Sequence, residues 1–116
     1  MSDTEQSELI ERVRELLGGE SSLREVSMFG GRSFMVNEKM VASALKGGDL
    51  LVRVDAERHD ELMQAPGAWQ AEMGTGRSMG PGWISVTEEA IASDEQLSWW
   101  LDIGMDYNRA VTEDQS

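Results

Sequence analysis

Apolar residues at Leu9, Ile10, Val13, Leu16 and Leu17 recur at the i, i+3/i+4, i+7 spacing of one helical face. The pattern predicts an amphipathic helix near Thr4–Leu17. Asp3 or Thr4 offers a side-chain oxygen to its free amides, and Gly18-Gly19 supplies the stop. The period then shortens. Glu25–Met28, Ser33–Val36, Met40–Leu45 and Leu50–Val54 are short apolar or alternating runs, parted by Gly30-Gly31, Asn37-Glu38 and Lys46-Gly47-Gly48-Asp49. Connections this short join antiparallel neighbours, because a parallel crossover needs a dozen residues or more. The stretch reads as a meander of three or four strands.

Asp55 is placed to cap a short helix through about Gln64, with Pro66-Gly67 as its stop. Trp69–Met73 and Trp83–Val86 predict two further strands around the loop GTGRSMGPG, residues 74–82. Thr87 is placed to cap a helical turn over Glu88–Ala92, and Ser93-x-x-Gln96 has the form of a capping box opening the last helix. That helix carries a core stripe of Leu97, Trp100, Leu101, Gly104, Tyr107 and Val111. Gly104 within it lets the helix approach a sheet closely. The predicted fold class is α+β, a two-layer sandwich of one antiparallel sheet of about five strands with helices packed on one face, in the order α-β-β-β-α-β-β-α. The opposite sheet face is expected to meet water or a partner. No repeat or linker divides the chain, so residues 1–116 read as one domain with a core over about 7–111 and frayed ends.

Composition adds three exclusions. The chain has 116 residues and 40% hydrophobic content, enough for one packed core. Cysteine is absent, which removes disulfides, thiolate metal sites and a Cys nucleophile and fits a reducing compartment. The acidic, amphipathic start lacks the basic-then-apolar pattern of a signal peptide, and no stretch approaches the ~20 apolar residues of a membrane span. A cytoplasmic protein is the expectation, with no membrane partner. The formal net charge is −12, so direct nucleic-acid binding is not expected, because such binding draws on Lys and Arg displacing counterions. Arg24, Arg32, Lys39, Lys46, Arg53 and Arg58 are the residues that can form a locally basic face, and they read as solvated charges at a sheet edge.

Two glycine-rich stretches raise the question of a bound anion. FGGRSFMVN, residues 29–37, lacks the lysine of a phosphate-binding P-loop and continues as an alternating apolar run where a helix should begin. Gly30-Gly31 therefore reads as a bulge or bend. The loop 74–82, with Arg77, can either surround an anion or simply close a long hairpin anchored by Trp83. His59, the single histidine, precedes Leu62 and Met63 by one turn and suits packing. No G-x-S-x-G elbow occurs. Asp102 and Asp106 share a helix face beside Arg109 as solvated charges, and the methionines suit core gap-filling. No catalytic residue, metal ligand or cofactor is expected.

MFGGRSFMVNEKM (28–40) resembles the M-F-G-G hallmark of the TfoX N-terminal domain family. MGTGRSMGPGW (73–83) is similar to the M-x-G-R-P-M-x-G-W segment of its compact actinobacterial-type members. DEQLSWWLDIGMDY (94–107) is similar to their final helix, with its acidic start, Trp and Gly-x-x-Tyr. The resemblance spans about residues 7–111. Ser78 stands where those members carry Pro, and Gly80-Pro81-Gly82 is one residue longer than their pattern. The resemblance implies an α-β-β-β-α-β-β-α sandwich. It also implies a regulatory role, since longer members join this domain to a helical C-terminal domain and regulate natural competence with a transcription factor. It supplies no catalytic residues.

The expected function is thus a non-enzymatic regulatory or protein-interaction module with an unidentified protein partner, which the resemblance links to transcription or competence. The alternative is a small-molecule or anion-binding domain, or a minor enzyme, using the loop 74–82. Phe29, Arg32, Phe34, Arg77 and Trp83 are the candidate binding residues, grouped near the bend and the loop. A homodimer is expected through Trp99 and Ile103, which lie on the flank of the last helix. Either Trp99 closes the core edge over the first helix, or it forms with Ile103 an exposed apolar patch of the kind that marks interfaces.

Overall fold

A computed structural model describes residues 4–20, 22–28, 31–72 and 76–113. Helix α1 (Thr4–Leu16) presents Leu9 and Val13 to the core, with Leu17 just beyond it. Leu16, at the edge of the stripe, is left 40% exposed. Thr4 lies within the helix, and Asp3 falls outside the described residues. The chain then makes β1 (Leu23–Met28), β2 (Gly31–Val36), β3 (Lys39–Ala44) and β4 (Leu50–Arg53). Asn37 and Glu38 take positive φ of 53° and 68° in the two-residue turn between β2 and β3, a geometry whose twist suits a tight hairpin. A 3-10 turn and α2 (His59–Leu62) follow, with Asp55 accepting the Glu57 amide at 2.9 Å. The remaining elements are β5 (Ala68–Gln70), β6 (Trp83–Val86), a 3-10 turn over Glu88–Ile91 and α3 (Asp94–Glu113).

Among the described residues the strands form one antiparallel sheet of six, in the order β1-β2-β3-β4-β6-β5. The α+β class holds. The expected order, with three strands before the middle helix, gains a fourth, because Leu50, Leu51 and Val52 pair with β3. The excursion through α2 carries β5 past the sheet edge, and the β5–β6 hairpin then folds back to place β6 against β4.

Phe34, Val36, Ala42, Leu50, Val52, Ile84 and Val86 pack in one buried cluster with Leu9 and Val13 of α1 and Leu97, Trp100 and Leu101 of α3. The capping box at Ser93 forms as the sequence predicts: Ser93 Oγ accepts the Gln96 amide at 3.1 Å, and Gln96 Oε1 accepts the Ser93 amide at 3.3 Å. Thr87 stands at the start of its 3-10 turn but caps nothing through its side chain. Asp49 reaches across to accept the Glu88 amide at 3.0 Å.

A register irregularity lies beyond Gly30-Gly31, further along β2. The register slips between Phe34 and Met35, which pair with Ala42 and Met40 and leave Val41 as an extra residue on β3. Val41 bulges toward α3, where a Cβ added at Gly104 would stand 3.0 Å from both Val41 Cγ1 and the Val41 carbonyl oxygen. Gly104 is thus the close approach that its place in the stripe predicts. Gly31 pairs with Met28 at the head of β2. A Cβ there would sit 2.6 Å from the Ala44 carbonyl oxygen, so the glycine permits close strands rather than a bulge. Gly30 lies outside the described residues.

Candidate functional site

The sheet face away from the helices is set by strand alternation. Val26, Ser33, Ser43, Leu51, Ser85 and Trp69 follow one another in register across the sheet. This face is not bare. Met40, Leu51 and Ala71 form a second buried cluster, flanked by Met35, Leu45, Met79 and Trp83, so the chain's own segment around Met79 covers part of it. Ser33 and Ser43, both fully buried, satisfy each other at 3.2 Å.

At the rim of this face lies Arg53, the last residue of β4, directly opposite Trp83 of β6. Its guanidinium carbon stands 4.8 Å from the Trp83 ring centroid and 5.0 Å from that of Tyr107 on α3, within cation–π range of both. Arg53 Nη2 donates to Tyr107 Oη at 3.2 Å. Nη1 is buried with no hydrogen-bond partner. A cavity of about 450 Å3 opens beside it, lined by Met35, Lys39, Met40 and Trp83 from the sheet and by Tyr107 and Asn108 from α3. Asn108, only 1% exposed, donates Nδ2 to the Val36 carbonyl at 2.9 Å and, at a longer 3.4 Å, to that of Lys39. Those two oxygens fix the amide's orientation, since turning it over would face oxygen with oxygen. Asn108 Oδ1 is left buried and unpaired.

The backbone beneath Arg53 is built to its shape. Gly82 has a φ of 93°, and a side chain at that position would run into Arg53 Nη1. Its amide donates to His59 Nδ1 at 3.0 Å and its carbonyl accepts the Val54 amide at 2.8 Å. His59 is therefore a packed acceptor, 8% exposed, that holds the end of the loop.

A family model for the TfoX N-terminal domain matches residues 15–107. The chain belongs to the TfoX N-terminal domain family. The matched stretch of this TfoX N-terminal domain takes in Arg53, Trp83 and Tyr107, while nearly all of α1 and Asn108 lie outside it. At the level of the family, membership supports a regulatory, competence-related domain. No curated protein sequence matches the chain.

The residues singled out from the sequence do not form one surface. Phe29 lies outside the described residues. Arg32 is on the helix-side face, where Glu25 takes bonds from Arg32 at 3.1 Å and from Arg14 at 2.6 and 2.7 Å. The Arg14 hydrogen bond is the main cause holding the Glu25 carboxyl below its ordinary pKa. Phe34 is fully buried in the main core, because the β2 alternation points it at the helices, and it contributes no surface. Arg77 is exposed in the segment before β6, and Trp83 is half-buried against Arg53. Ile103 is buried, at 7% exposed, although it lies only about 40° round the helix from Trp99. The buried arc of α3 is wide because the helix meets the sheet, α1 and the 3-10 turn before it. Trp99 alone stays out, 49% exposed and edge-on to Trp100 at 4.9 Å. It borders a groove of about 630 Å3 with Pro66, Ala90 and Gln96.

The sequence reading missed Arg53, Tyr107 and Asn108 as a group. One signal was available: Arg53 interrupts the apolar run Leu50–Val54 at a position its alternation assigns to the same face as Leu51. Among the described residues, no group of three or more His, Asp or Glu is placed to hold a metal ion, and no helix is long and apolar enough to cross a membrane.

Proposed function

We propose that this chain is a non-enzymatic regulatory module of the cytoplasm that acts through a protein partner, with transcription or competence control as its setting. The observation that carries the reading is the family match across residues 15–107. The sheet edge adds support. Strand β5 ends the sheet, and its Trp69 is 64% exposed. Arg77 is exposed in the segment joining β5 to β6. Tryptophan and arginine are the side chains most enriched at the energetic centres of interfaces, and an open edge strand can accept a partner's backbone. A net charge of −12 argues against direct contact with nucleic acid.

The test is capture of partners from the native cytosol by the wild type and by a Trp69→Ser/Arg77→Glu double variant. Both positions are exposed, so the fold should survive, whereas a change at Arg32 would disturb its Glu25 contact. Loss of a partner in the double variant is the expected result. Identical partner sets for the two proteins would refute this surface.

A homodimer through Trp99 is a second proposal, supported by that ring's exposure beside the groove at Pro66 and Ala90. Sedimentation at high micromolar concentration and physiological salt should show self-association that Trp99→Ala weakens. A monomeric wild type would refute it.

A further inference from the structure

We propose that the cavity beside Arg53 binds a small organic anion: a carboxylate or phosphate on a flat apolar body. This goes beyond the regulatory reading and does not rest on it. It also moves the anion site away from the loop 74–82 that the sequence suggested.

Charge pairing sets Arg53 apart from every described arginine except the exposed Arg77. Arg12, Arg14, Arg24, Arg32, Arg58 and Arg109 each meet a carboxylate. Arg53 meets none among the described residues, in a chain with 22 acidic groups. Scarcity of acids is not the reason. The guanidinium is flanked by two rings and tied to Tyr107, so it is held in place without being neutralised. Burial of a cation is costly unless a counter-charge accompanies it. A partly buried, uncompensated and positioned arginine is the arrangement that an anion completes.

Among the described residues the buried side-chain atoms without a hydrogen-bond partner are Arg53 Nη1 and Asn108 Oδ1, and both side chains line this cavity. Both atoms are closed to solvent, so neither is reached from the cavity as the side chains stand. Nη1 itself is sealed under Gly82. The ligand therefore meets the rest of the partly exposed guanidinium.

The other walls define its chemistry. Lys39, exposed on the rim, has no ion pair among the described residues. The rim acid Glu38 is drawn to Arg24 at 2.7 Å. Two cations thus face the opening. Met35, Met40, Trp83 and Val111 offer apolar contact for a flat body. The volume of about 450 Å3 suits a small molecule.

The test is isothermal titration of the full chain with 4-hydroxyphenylacetate, with phenyl phosphate and with the uncharged 4-hydroxyphenylacetamide. The proteins are wild type, Arg53→Met and Lys39→Glu. At least one anion should bind wild type with a dissociation constant of about 1 mM or tighter, and the amide at least about tenfold more weakly. Which of the two anions binds more tightly tells carboxylate from phosphate. Affinity should fall as salt rises from about 50 to 300 mM. Lys39→Glu, at the exposed first residue of β3 where folding is not at risk, should weaken binding about fivefold or more, and Arg53→Met should abolish it. No binding of either anion at about 10 mM would overturn the proposal. So would an amide that binds as well as its acid, or anion binding that Lys39→Glu leaves unchanged.

Discussion

Replacing Gly104 by alanine sets two effects of opposite sign against each other. In the interior of a helix alanine is favoured over glycine by about 1 kcal/mol. Against this, the new Cβ would stand 3.0 Å from Val41 Cγ1 and from the Val41 carbonyl oxygen, and 3.4 Å from Val52 Cγ1. Comfortable contact between such atoms needs roughly 3.5 Å, so the gap must open by about half an ångström. The Val41 oxygen belongs to strand backbone whose neighbours Met40 and Ala42 are both paired with β2, so it cannot swing far. Helix α3 must lift instead, and Leu97, Trp100 and Leu101 lift with it from the core. Overpacking of this kind costs about 1–3 kcal/mol. The clash outweighs the propensity gain, and Gly104→Ala should lose about 1 kcal/mol net, or about 4 °C in Tm. Gly104→Val, with more bulk and poorer propensity, should lose about 3 kcal/mol or more. Urea unfolding followed by circular dichroism and tryptophan fluorescence measures both, with an unchanged slope against denaturant. A Gly104→Ala protein more stable than wild type would refute the reasoning, because α3 would then not press on the Val41 bulge.

Three further outcomes follow from the contacts described. Glu25 has its pKa held below the ordinary 4.5, first by the Arg14 hydrogen bond and also by Arg32; a carboxyl lowered in the folded state adds stability above its unfolded value and loses it as pH falls through the folded one. Glu25→Gln should therefore cost up to about 1 kcal/mol at neutral pH, limited by solvent screening, and its deficit against wild type should close in melts taken from pH 5 downward; a deficit constant with pH would sink the idea. Glu38 sits at a φ of 68° in the β2–β3 turn, where glycine is at ease, so Glu38→Gly should gain about 0.5–1 kcal/mol, more than the exposed Arg24 pair is worth. Chemical denaturation showing a loss instead would mean that the pair outweighs the strain. Asn108→Ala strips the Val36 and Lys39 carbonyls of their buried donor and should cost about 1–3 kcal/mol, with faster amide exchange at the β2–β3 hairpin as the local readout.

The elements were largely legible in the chain because local rules govern them. Period 3.6 marked α1 and α3, period 2 marked the strands, and the Ser93–Gln96 box opens α3 where those residues stand. These signals need only neighbours within a few positions, so no knowledge of the tertiary arrangement is required to read them. Gly104 was legible for a related reason: a glycine in an otherwise apolar stripe has few uses other than close approach.

The candidate site was not legible, because its parts come from distant places. Arg53 and Tyr107 are 54 residues apart in the chain, and Trp83 reaches Arg53 only because β6 is inserted between β4 and β5. Alternation fixes which face a strand residue takes, but not which strand will lie beside it. For that reason Arg32 and Trp83, both polar-tipped residues near glycines, looked alike in sequence and ended on opposite faces of the sheet. Asn108 falls on the inward face of α3 with Leu101 and Gly104, yet its polarity concealed a buried role that exists only because the β2–β3 turn brings two carbonyls to it. Cap and period are properties of a segment. An unpaired guanidinium is a property of everything packed round it, and only the folded chain brings those groups together.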